Sequence, residues 1–221
     1  MKLNCDLGES FGSWKMGNDE SIMPYIDQAN IACGFHASDP LTMQKTITLA
    51  VKHNVTIGAH PGYPDIVGFG RRSMTIDSQE LKAIVQYQVG ALSALCQAQG
   101  TNVQYVKPHG ALYNDMMQND DIFETLCLAV SEFNNEHMLV IQATANNDKY
   151  TTIAQRHGVK LWFEAFADRN YQDNGQLVSR TKENATISDA SAVVERINTL
   201  KTDGYLLSEH NNKLGMQVDT L

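Results

Sequence analysis

The chain has 221 residues, of which 43% are hydrophobic, and its formal net charge is -8, from 25 acidic and 17 basic residues. This length suits one domain with a hydrophobic core large enough to need no disulfide or structural metal. The acidic balance argues against a nucleic-acid partner, because phosphate binding requires a basic face.

Cysteine usage and hydropathy predict a cytoplasmic protein. Cys5, Cys33, Cys96 and Cys127 lie in apolar segments and form no C-x-x-C pair, as is typical of buried, reduced thiols. The N-terminus has no apolar run of the kind found in signal peptides, and no segment reaches the length of a membrane span. We therefore expect no membrane association.

Strands and helices alternate along the chain. Strands are predicted over residues 2–7, 27–33, 55–59, 103–107, 138–143 and 159–163. Helices are predicted to begin at Asp39-Pro40 and Asp77 and to cover residues 122–133, 148–157 and 188–200, and Gly100 is predicted to end the second helix. The alternation indicates a parallel sheet with crossover helices, either a (β/α) barrel or an open doubly wound sheet. Neither G-x-G-x-x-G nor a Walker A motif is present, which argues against the nucleotide-binding form of the open sheet.

Five of the predicted strands end in residues that can carry out acid–base, electrophilic or metal chemistry. In a barrel all carboxyl ends of the strands meet at one mouth, where catalysis takes place. The opposite connections carry ordinary polar residues. The pattern therefore predicts an enzyme with the catalytic candidates Asp6, Glu9, His36, His60, Lys107, His109 and Glu164.

A second group of charged residues is predicted to bind an anionic substrate. Arg71 and Arg72 lie in a glycine-rich loop, with Asp65 nearby, and Asp168 and Arg169 follow the sixth strand. The planar guanidinium fork of arginine matches a carboxylate or phosphate. The alternatives are a solvated basic turn and an exposed ion pair that contributes little stability.

Asp6, His36 and His60 are also candidates for a divalent-metal site. One carboxylate and two imidazoles form a reasonable ligand set if the first three strands are neighbours. No local spacing fixes such a site. Substrate binding with proton transfer, and histidines hydrogen-bonded within the core, remain open as alternatives.

Six motifs together resemble the LamB/YcsF family, whose members are described as the A subunit of the bacterial ATP-hydrolysing 5-oxoprolinase. The motifs are residues 4–10 (NCDLGES), 30–40 (NIACGFHASDP), 57–65 (IGAHPGYPD), 68–72 (GFGRR), 106–114 (VKPHGALYN) and 164–169 (EAFADR). They occur in order and extend over most of the chain, which makes the resemblance more specific than any single motif.

The resemblance implies a distorted (β/α) barrel of the glycoside hydrolase/deacetylase type. It also implies opening of 5-oxo-L-proline to L-glutamate driven by ATP, with an ATP site completed by partner subunits B and C. The deacetylase relatives bind a metal through one Asp and two His, which implies Asp6, His36 and His60 here. Family members continue beyond a segment like residues 218–221 into another strand and helix. We therefore expect a single barrel domain over residues 1–221 without that last strand and helix.

Two other functions remain open at this point. One is a metal-dependent deacetylase or amidohydrolase that acts on a small amide or sugar without ATP. The other is a subunit that binds substrate or partner and carries out no chemistry.

Overall fold

The computed structural model describes residues 1–133, 138–144, 147–180 and 182–221. Its strands are β1 Asn4–Leu7, β2 Gln28–Ala32, β3 Thr56–His60, β4 Tyr105–Val106, β5 Met138–Gln142, β6 Lys160–Glu164, β7 Tyr205–Leu207 and β8 Lys213–Gly215. Its α-helices are α1 Asp19–Ile22, α2 Pro40–Lys52, α3 Ser78–Ala98, α4 Gly110–Met116, α5 Asp120–Ser131, α6 Asp148–Arg156 and α7 Ala190–Asp203, with short 3-10 helices at Met23–Tyr25 and Glu183–Ala185. Within these residues, no helix combines the length and the apolar character needed to cross a membrane.

Strands β1 to β6 form one sheet whose spatial order follows the chain. The pairings from β1 to β5 are parallel, with Asp6 opposite Asn30 and Ala32 opposite His60. An open doubly wound sheet reverses its strand order at a switch point, whereas a (β/α) barrel adds each strand beside the previous one. The sequential order confirms the predicted (β/α) barrel class.

β2 and β3 are interior strands with almost no exposed surface. All five residues of β2 are buried, as are the last four of β3. Parallel strands that are covered on both faces are expected to be apolar throughout. Asn30 breaks this rule at 0% exposure, and a buried amide needs hydrogen-bond partners. Its partners belong to the candidate site described below.

Capping residues define the helix ends that the sequence predicts. Asp39 Oδ1 accepts from the backbone N–H groups of Leu41 and Thr42, with proline at the first helical position of α2. Asp77 caps α3 by accepting from the backbone of Gln79. These side chains satisfy N–H groups that have no partner inside the helix. Both predicted caps are confirmed.

The structure differs from the sequence prediction in its short elements. β4 contains two residues where a strand over residues 103–107 is predicted, and the sequence gives no indication of α1, α4 or the antiparallel pair β7–β8. Elements this short do not complete enough periods for a hydrophobic pattern to stand out. The missed α4 matters most, because it begins directly after His109.

The chain divides into two compact units. The first comprises Lys2–Ile141 and Thr151–Leu161, and the second comprises Met1, Gln142–Tyr150 and Trp162–Leu221. In the second unit, Glu164 forms a parallel bridge with Thr220, and the Ala165 N–H donates to the Thr220 carbonyl. The single domain expected over residues 1–221 stays a prediction.

Candidate active site

The carboxyl ends of β1, β3 and β4 bring three of the predicted side chains together in the first unit. His60 is the last residue of β3, and Lys107 directly follows β4. Lys107 Nζ lies 3.3 Å from Asp6 Oδ1, and His60 Nε2 lies 3.5 Å from Asp6 Oδ2. The parallel strands β1, β3 and β4 thus place a carboxylate, an imidazole and an ammonium at one edge of the sheet.

A hydrogen-bonded network holds Lys107, whose exposure is only 6%. Its Nζ donates to Asn4 Oδ1 at 2.9 Å. Asn30 Nδ2 donates to Asn4 Oδ1 at 2.6 Å and to Asp6 Oδ1 at 2.8 Å, and the Tyr105 hydroxyl donates to Asn30 Oδ1 at 2.6 Å. A buried ammonium is stable only with such compensating partners. The network therefore fixes the positions of both the Lys107 charge and the Asp6 carboxylate.

Glu9, His36, His60 and His109 form a compact cluster beside this network, and each offers a ligand atom within 4.8 Å of the others. The rings of His36 and His109 stack with centroids 3.7 Å apart and an interplanar angle of 2°. Glu9 Oε1 lies 3.8 Å from both His36 Nε2 and His109 Nδ1. His109 Nδ1 lies 2.9 Å from His60 Nε2. The cluster joins four of the predicted catalytic residues.

A tight turn after β1 places Glu9. Gly8 has φ 69°, in the left-handed region that favours glycine. Its N–H donates to Asp19 Oδ2 at 2.9 Å, and the Thr46 hydroxyl also contacts that oxygen at 3.4 Å. A Cβ at Gly8 would lie 3.0 Å from Thr46 Oγ1. Residue 8 therefore has both a conformational and a steric reason to be glycine.

The loop after β3 places His109 through an unusual backbone turn. Phe69 has φ 54° and Gly70 has φ 61°, and a positive φ is unfavourable for a bulky residue such as phenylalanine. The Phe69 carbonyl lies 2.9 Å from His109 Nε2. A Cβ at Gly70 would lie 2.7 Å from His36 Cβ and 2.9 Å from His109 Cδ2. The loop backbone therefore packs directly against both stacked rings.

Burial determines the charge of the cluster. It lowers the pKa of His36 well below its usual value and that of His109 to about 2, so both rings are neutral near pH 7. Burial raises the pKa of Glu9. At Asp6 burial acts in the same direction, but neighbouring positive charge and hydrogen bonds outweigh it and hold the pKa well below its usual value. Asp6 is therefore an ionised carboxylate.

Asp65 and Arg72 form an ion pair that holds the loop together. The Asp65 side chain is 1% exposed, and Arg72 Nη2 contacts its Oδ1. Arg72 Nε donates to Asp65 Oδ2 at 3.0 Å, and the Gly68 N–H donates to Asp65 Oδ1 at 2.9 Å. Arg71 instead lies over the Phe69 ring, with Cζ 5.1 Å from the centroid. Of the two predicted anion-binding arginines, Arg71 is thus the one not engaged with Asp65.

The remaining predicted residues, Glu164, Asp168 and Arg169, belong to the second unit. Glu164 is 1% exposed at the end of β6, and Asp168 is exposed. Arg169 is 7% exposed, and its guanidinium donates to the carbonyls of Ala185 and Val178 at 3.0 and 2.7 Å. These backbone contacts give Arg169 a role in holding its own unit, and its predicted substrate contact stays a prediction.

Several polar residues that support the site were missed from the sequence. Asn4 lies two positions before Asp6, so both side chains share one face of β1. Asn30 interrupts an apolar strand. Gln88 lies at a helical interval on the apolar stripe of α3 and bonds both the N–H and the carbonyl of Gly62, at 3.0 and 2.9 Å. For Asn30 and Gln88 the signal is a polar residue at a position whose period requires an apolar one, and for Asn4 it is the position two residues before Asp6.

The arrangement supplies acid–base and electrostatic chemistry. A carboxylate, an ammonium and neutral imidazoles meet at one edge of the sheet, where they can orient water, stabilise an oxyanion and transfer protons. Burial raises the pKa of the adjacent Cys5 thiol to about 11, which leaves it protonated near neutral pH. A thiolate nucleophile at Cys5 is therefore disfavoured.

Comparison with known proteins identifies relatives over the whole chain. A family model described as the LamB/YcsF family matches residues 1–221. A protein from Vibrio parahaemolyticus serotype O3:K6, named as the A subunit of 5-oxoprolinase, is 53% identical over 221 residues, covering 100% of this chain and 87% of that protein. A protein of the same name from Chromohalobacter salexigens is 49% identical over 219 residues, covering 99% of this chain and 88% of that protein.

A solved structure gives the same result at the level of the fold. The crystal structure of a lactam utilization protein from Thermus thermophilus matches with a TM-score of 0.93 and 37% identity, covering 100% of this chain and 88% of that chain. The family model, the sequence relatives and this structure agree over the full length of the chain. The chain therefore belongs to the LamB/YcsF family.

Proposed function

We propose that this chain takes part in the hydrolytic opening of 5-oxo-L-proline to L-glutamate, coupled to ATP hydrolysis, in a complex with partner subunits B and C. The observation that carries the proposal is 53% identity over all 221 residues to a protein named as the A subunit of 5-oxoprolinase. The solved relative is named a lactam utilization protein, and 5-oxoproline is a lactam. A cytoplasmic location agrees with this substrate and stays a prediction.

The chemistry explains why ATP is part of the proposal. A five-membered lactam is an unreactive amide. Its carbonyl carbon must become more electrophilic before water can attack it. Transfer of the γ-phosphoryl group of ATP to that oxygen releases ADP and activates the ring carbon. One water then adds to the carbon, the C–N bond breaks with protonation of nitrogen, and a second water releases phosphate. ATP, the lactam and two waters thus become ADP, phosphate and glutamate.

Residues of the first unit fit defined roles in this sequence. Lys107 is a fixed cation that can stabilise the charge developing on the lactam oxygen. Asp6, whose Oδ2 lies 3.5 Å from His60 Nε2, can orient the attacking water and carry protons beside the cluster. Arg71 can bind the substrate carboxylate, because Arg72 is committed to Asp65. The ATP site is assigned to the assembly with the partner subunits.

The second candidate function is a metal-dependent amidohydrolase or deacetylase. The cluster of Glu9, His36, His60 and His109 favours it, because these are metal-ligand residue types within 4.8 Å of one another. This function predicts hydrolysis of a small amide without ATP. The ring-opening proposal predicts ATP consumption in step with glutamate release.

Reconstitution tests the proposal. The chain is purified alone and with its candidate partner subunits, and glutamate and ADP are followed after addition of 5-oxoproline and ATP. We expect glutamate only from the full assembly with ATP, with ADP formed alongside. Product from the chain alone would refute the need for partners, and product without ATP would support the amidohydrolase. An assembly that forms but yields no glutamate would refute the substrate assignment.

A further inference from the structure

His36 is the first sign that the cluster binds a ligand. The residue is 1% exposed, and neither ring nitrogen has a hydrogen-bond partner among the described residues. Burying an imidazole without hydrogen-bond partners costs free energy, because its ring nitrogens lose their hydrogen bonds to water and form no others. Its Nε2 faces Glu9 Oε1 at 3.8 Å, which is too long for a hydrogen bond. A small bound species between these atoms would satisfy both.

The tautomers of His60 and His109 give an independent second sign. His60 Nδ1 lies 2.6 Å from the Lys107 carbonyl, and His109 Nε2 lies 2.9 Å from the Phe69 carbonyl. A carbonyl oxygen only accepts, so both of these nitrogens must carry the proton. The remaining nitrogens, His60 Nε2 and His109 Nδ1, face each other at 2.9 Å. A cation between or beside them, either a proton or a metal ion, is needed to keep two nitrogen lone pairs from meeting at this distance.

We propose that Glu9 Oε1, His36 Nε2, His60 Nε2 and His109 Nδ1 form a binding site for one divalent transition-metal ion. The set differs from the sequence prediction of Asp6, His36 and His60. Glu9 takes the place of Asp6, and His109 is added.

The surroundings explain why Glu9 is the better carboxylate ligand. Asp6 Oδ1 already accepts from Asn30 and lies 3.3 Å from the Lys107 ammonium. That ammonium neutralises Asp6 and would repel a metal ion bound next to it. Glu9 instead contacts the cluster itself, because its Oε1 lies equally far, at 3.8 Å, from two of the imidazoles.

The donor set and spacing define the class of metal. Three imidazole nitrogens and one carboxylate oxygen, without a thiolate, suit ions such as Zn²⁺, Co²⁺, Ni²⁺ and Fe²⁺ better than Mg²⁺ or Ca²⁺. The 2.9 Å between His60 Nε2 and His109 Nδ1 is a few tenths of an ångström shorter than the roughly 3.3 Å between two nitrogens on one tetrahedral ion, so both nitrogens lie within reach of a single metal. The two carbonyls that orient the rings are the outer partners that histidine ligands usually have.

Metal content and metal titration test the proposal without any substrate. The full chain is purified, its metals are measured by mass spectrometry, and a chelator-stripped sample is titrated with Zn²⁺ and Co²⁺. We expect about one equivalent of metal per chain, a Co²⁺ spectrum typical of nitrogen and oxygen ligands, and a higher melting temperature with Zn²⁺. These readouts do not depend on turnover, so they test whether the cluster binds metal regardless of which substrate the protein uses.

Matched variants locate the ion. Glu9→Gln preserves size and removes the carboxylate charge, and His109→Gln removes one imidazole. The controls are Glu20→Gln and His53→Gln, which lie outside the cluster. We expect the two site variants to weaken Zn²⁺ binding at least about tenfold and the controls to leave it unchanged.

Either of two results overturns the proposal. One is a wild-type chain that retains no metal, gives no Co²⁺ spectrum and shows no thermal shift with Zn²⁺. The other is binding of wild-type strength in a folded Glu9→Gln or His109→Gln chain. If a variant fails to fold, the wild-type spectrum and thermal shift still decide whether the cluster binds metal, because no other group of at least three such ligands occurs in the part of the chain that the structure describes.

Discussion

Asp65 illustrates how a charged residue with a functional appearance in the sequence can have a structural task. Its buried carboxylate receives Arg72 and the Gly68 N–H, and it thereby closes the loop that packs against His36 and His109. From sequence alone, Asp65, Arg71 and Arg72 are all candidates for substrate binding, and the two arginines are equivalent candidates for its anionic group. The structure distinguishes the two arginines, because Arg71 takes no part in the ion pair with Asp65 and instead lies over the Phe69 ring.

This separation predicts different behaviour for the two arginines. Arg72→Gln leaves the buried Asp65 carboxylate without its main partner, so we expect a lower melting temperature and several-fold faster proteolysis within residues 61–72. Arg71→Gln serves as the matched control and should change neither. Limited proteolysis read by mass spectrometry measures the difference. Equal protection in the two variants would contradict the structural role of the Asp65–Arg72 pair.

The chemistry-bearing residues could be found from the sequence, but their partners could not. His36, His60, Lys107 and His109 follow predicted strands, and parallel strands align such ends. The pairing of ring nitrogens with particular carbonyls depends on the positive φ of Phe69 and on side-chain rotamers. These are three-dimensional properties that no one-dimensional spacing encodes.

At the scale of elements, the start of α2 depends on Asp39. Its carboxylate accepts from two helix N–H groups and also from the Gly12 N–H at 3.0 Å. These bonds lower the pKa of Asp39 to about 2, below the ordinary value of 3.8. The cap thus connects the helix to the segment that follows Glu9.

Removing this cap should destabilise the fold in a pH-dependent way. Asp39→Ala is expected to reduce the free energy of unfolding by about 1 kcal/mol near neutral pH. The pKa of Asp39 is lower in the folded than in the unfolded state. The contribution of its charge to the free energy of unfolding is therefore fully present above about pH 4 and is lost as the pH falls toward 2. Urea unfolding from pH 7 to pH 3 measures it, with Asp39→Asn as a cap that cannot titrate. If Asp39→Ala lowers the free energy of unfolding as much at pH 3 as at pH 7, the charge of Asp39 does not contribute to stability as predicted.

Element prediction succeeded where a segment was long or capped. α2 and α3 begin at the predicted Asp39 and Asp77 because local side-chain hydrogen bonds determine where a helix starts. The two-residue β4 and the seven-residue α4 are determined by the sheet and loop around them. Tertiary contacts of this kind are invisible to a local pattern, although the site depends on them through Lys107 and His109.

At the scale of the whole molecule, the alternating pattern restricted the fold to a (β/α) barrel or an open parallel sheet, and the ordered motifs were sufficient for the family and for the barrel that the family implies. A family model over residues 1–221 and a TM-score of 0.93 to the Thermus thermophilus structure agree with both. The reaction is a different question, because a (β/α) barrel hosts many chemistries. The proposal therefore depends on a particular set of side chains, and Lys107 is the member with the most defined role.

The turnover of the reconstituted assembly carrying Lys107→Met tests the central claim most directly. The matched control is Lys82→Met, which removes an ammonium paired with Glu132 on the helix surface. With equal incorporation into the complex, we predict that Lys107→Met slows glutamate release at least about 100-fold, because the oxyanion loses its fixed charge, while Lys82→Met stays near wild type. An assembled Lys107→Met enzyme with a normal turnover number would contradict the account and would reduce the role of this protein to binding.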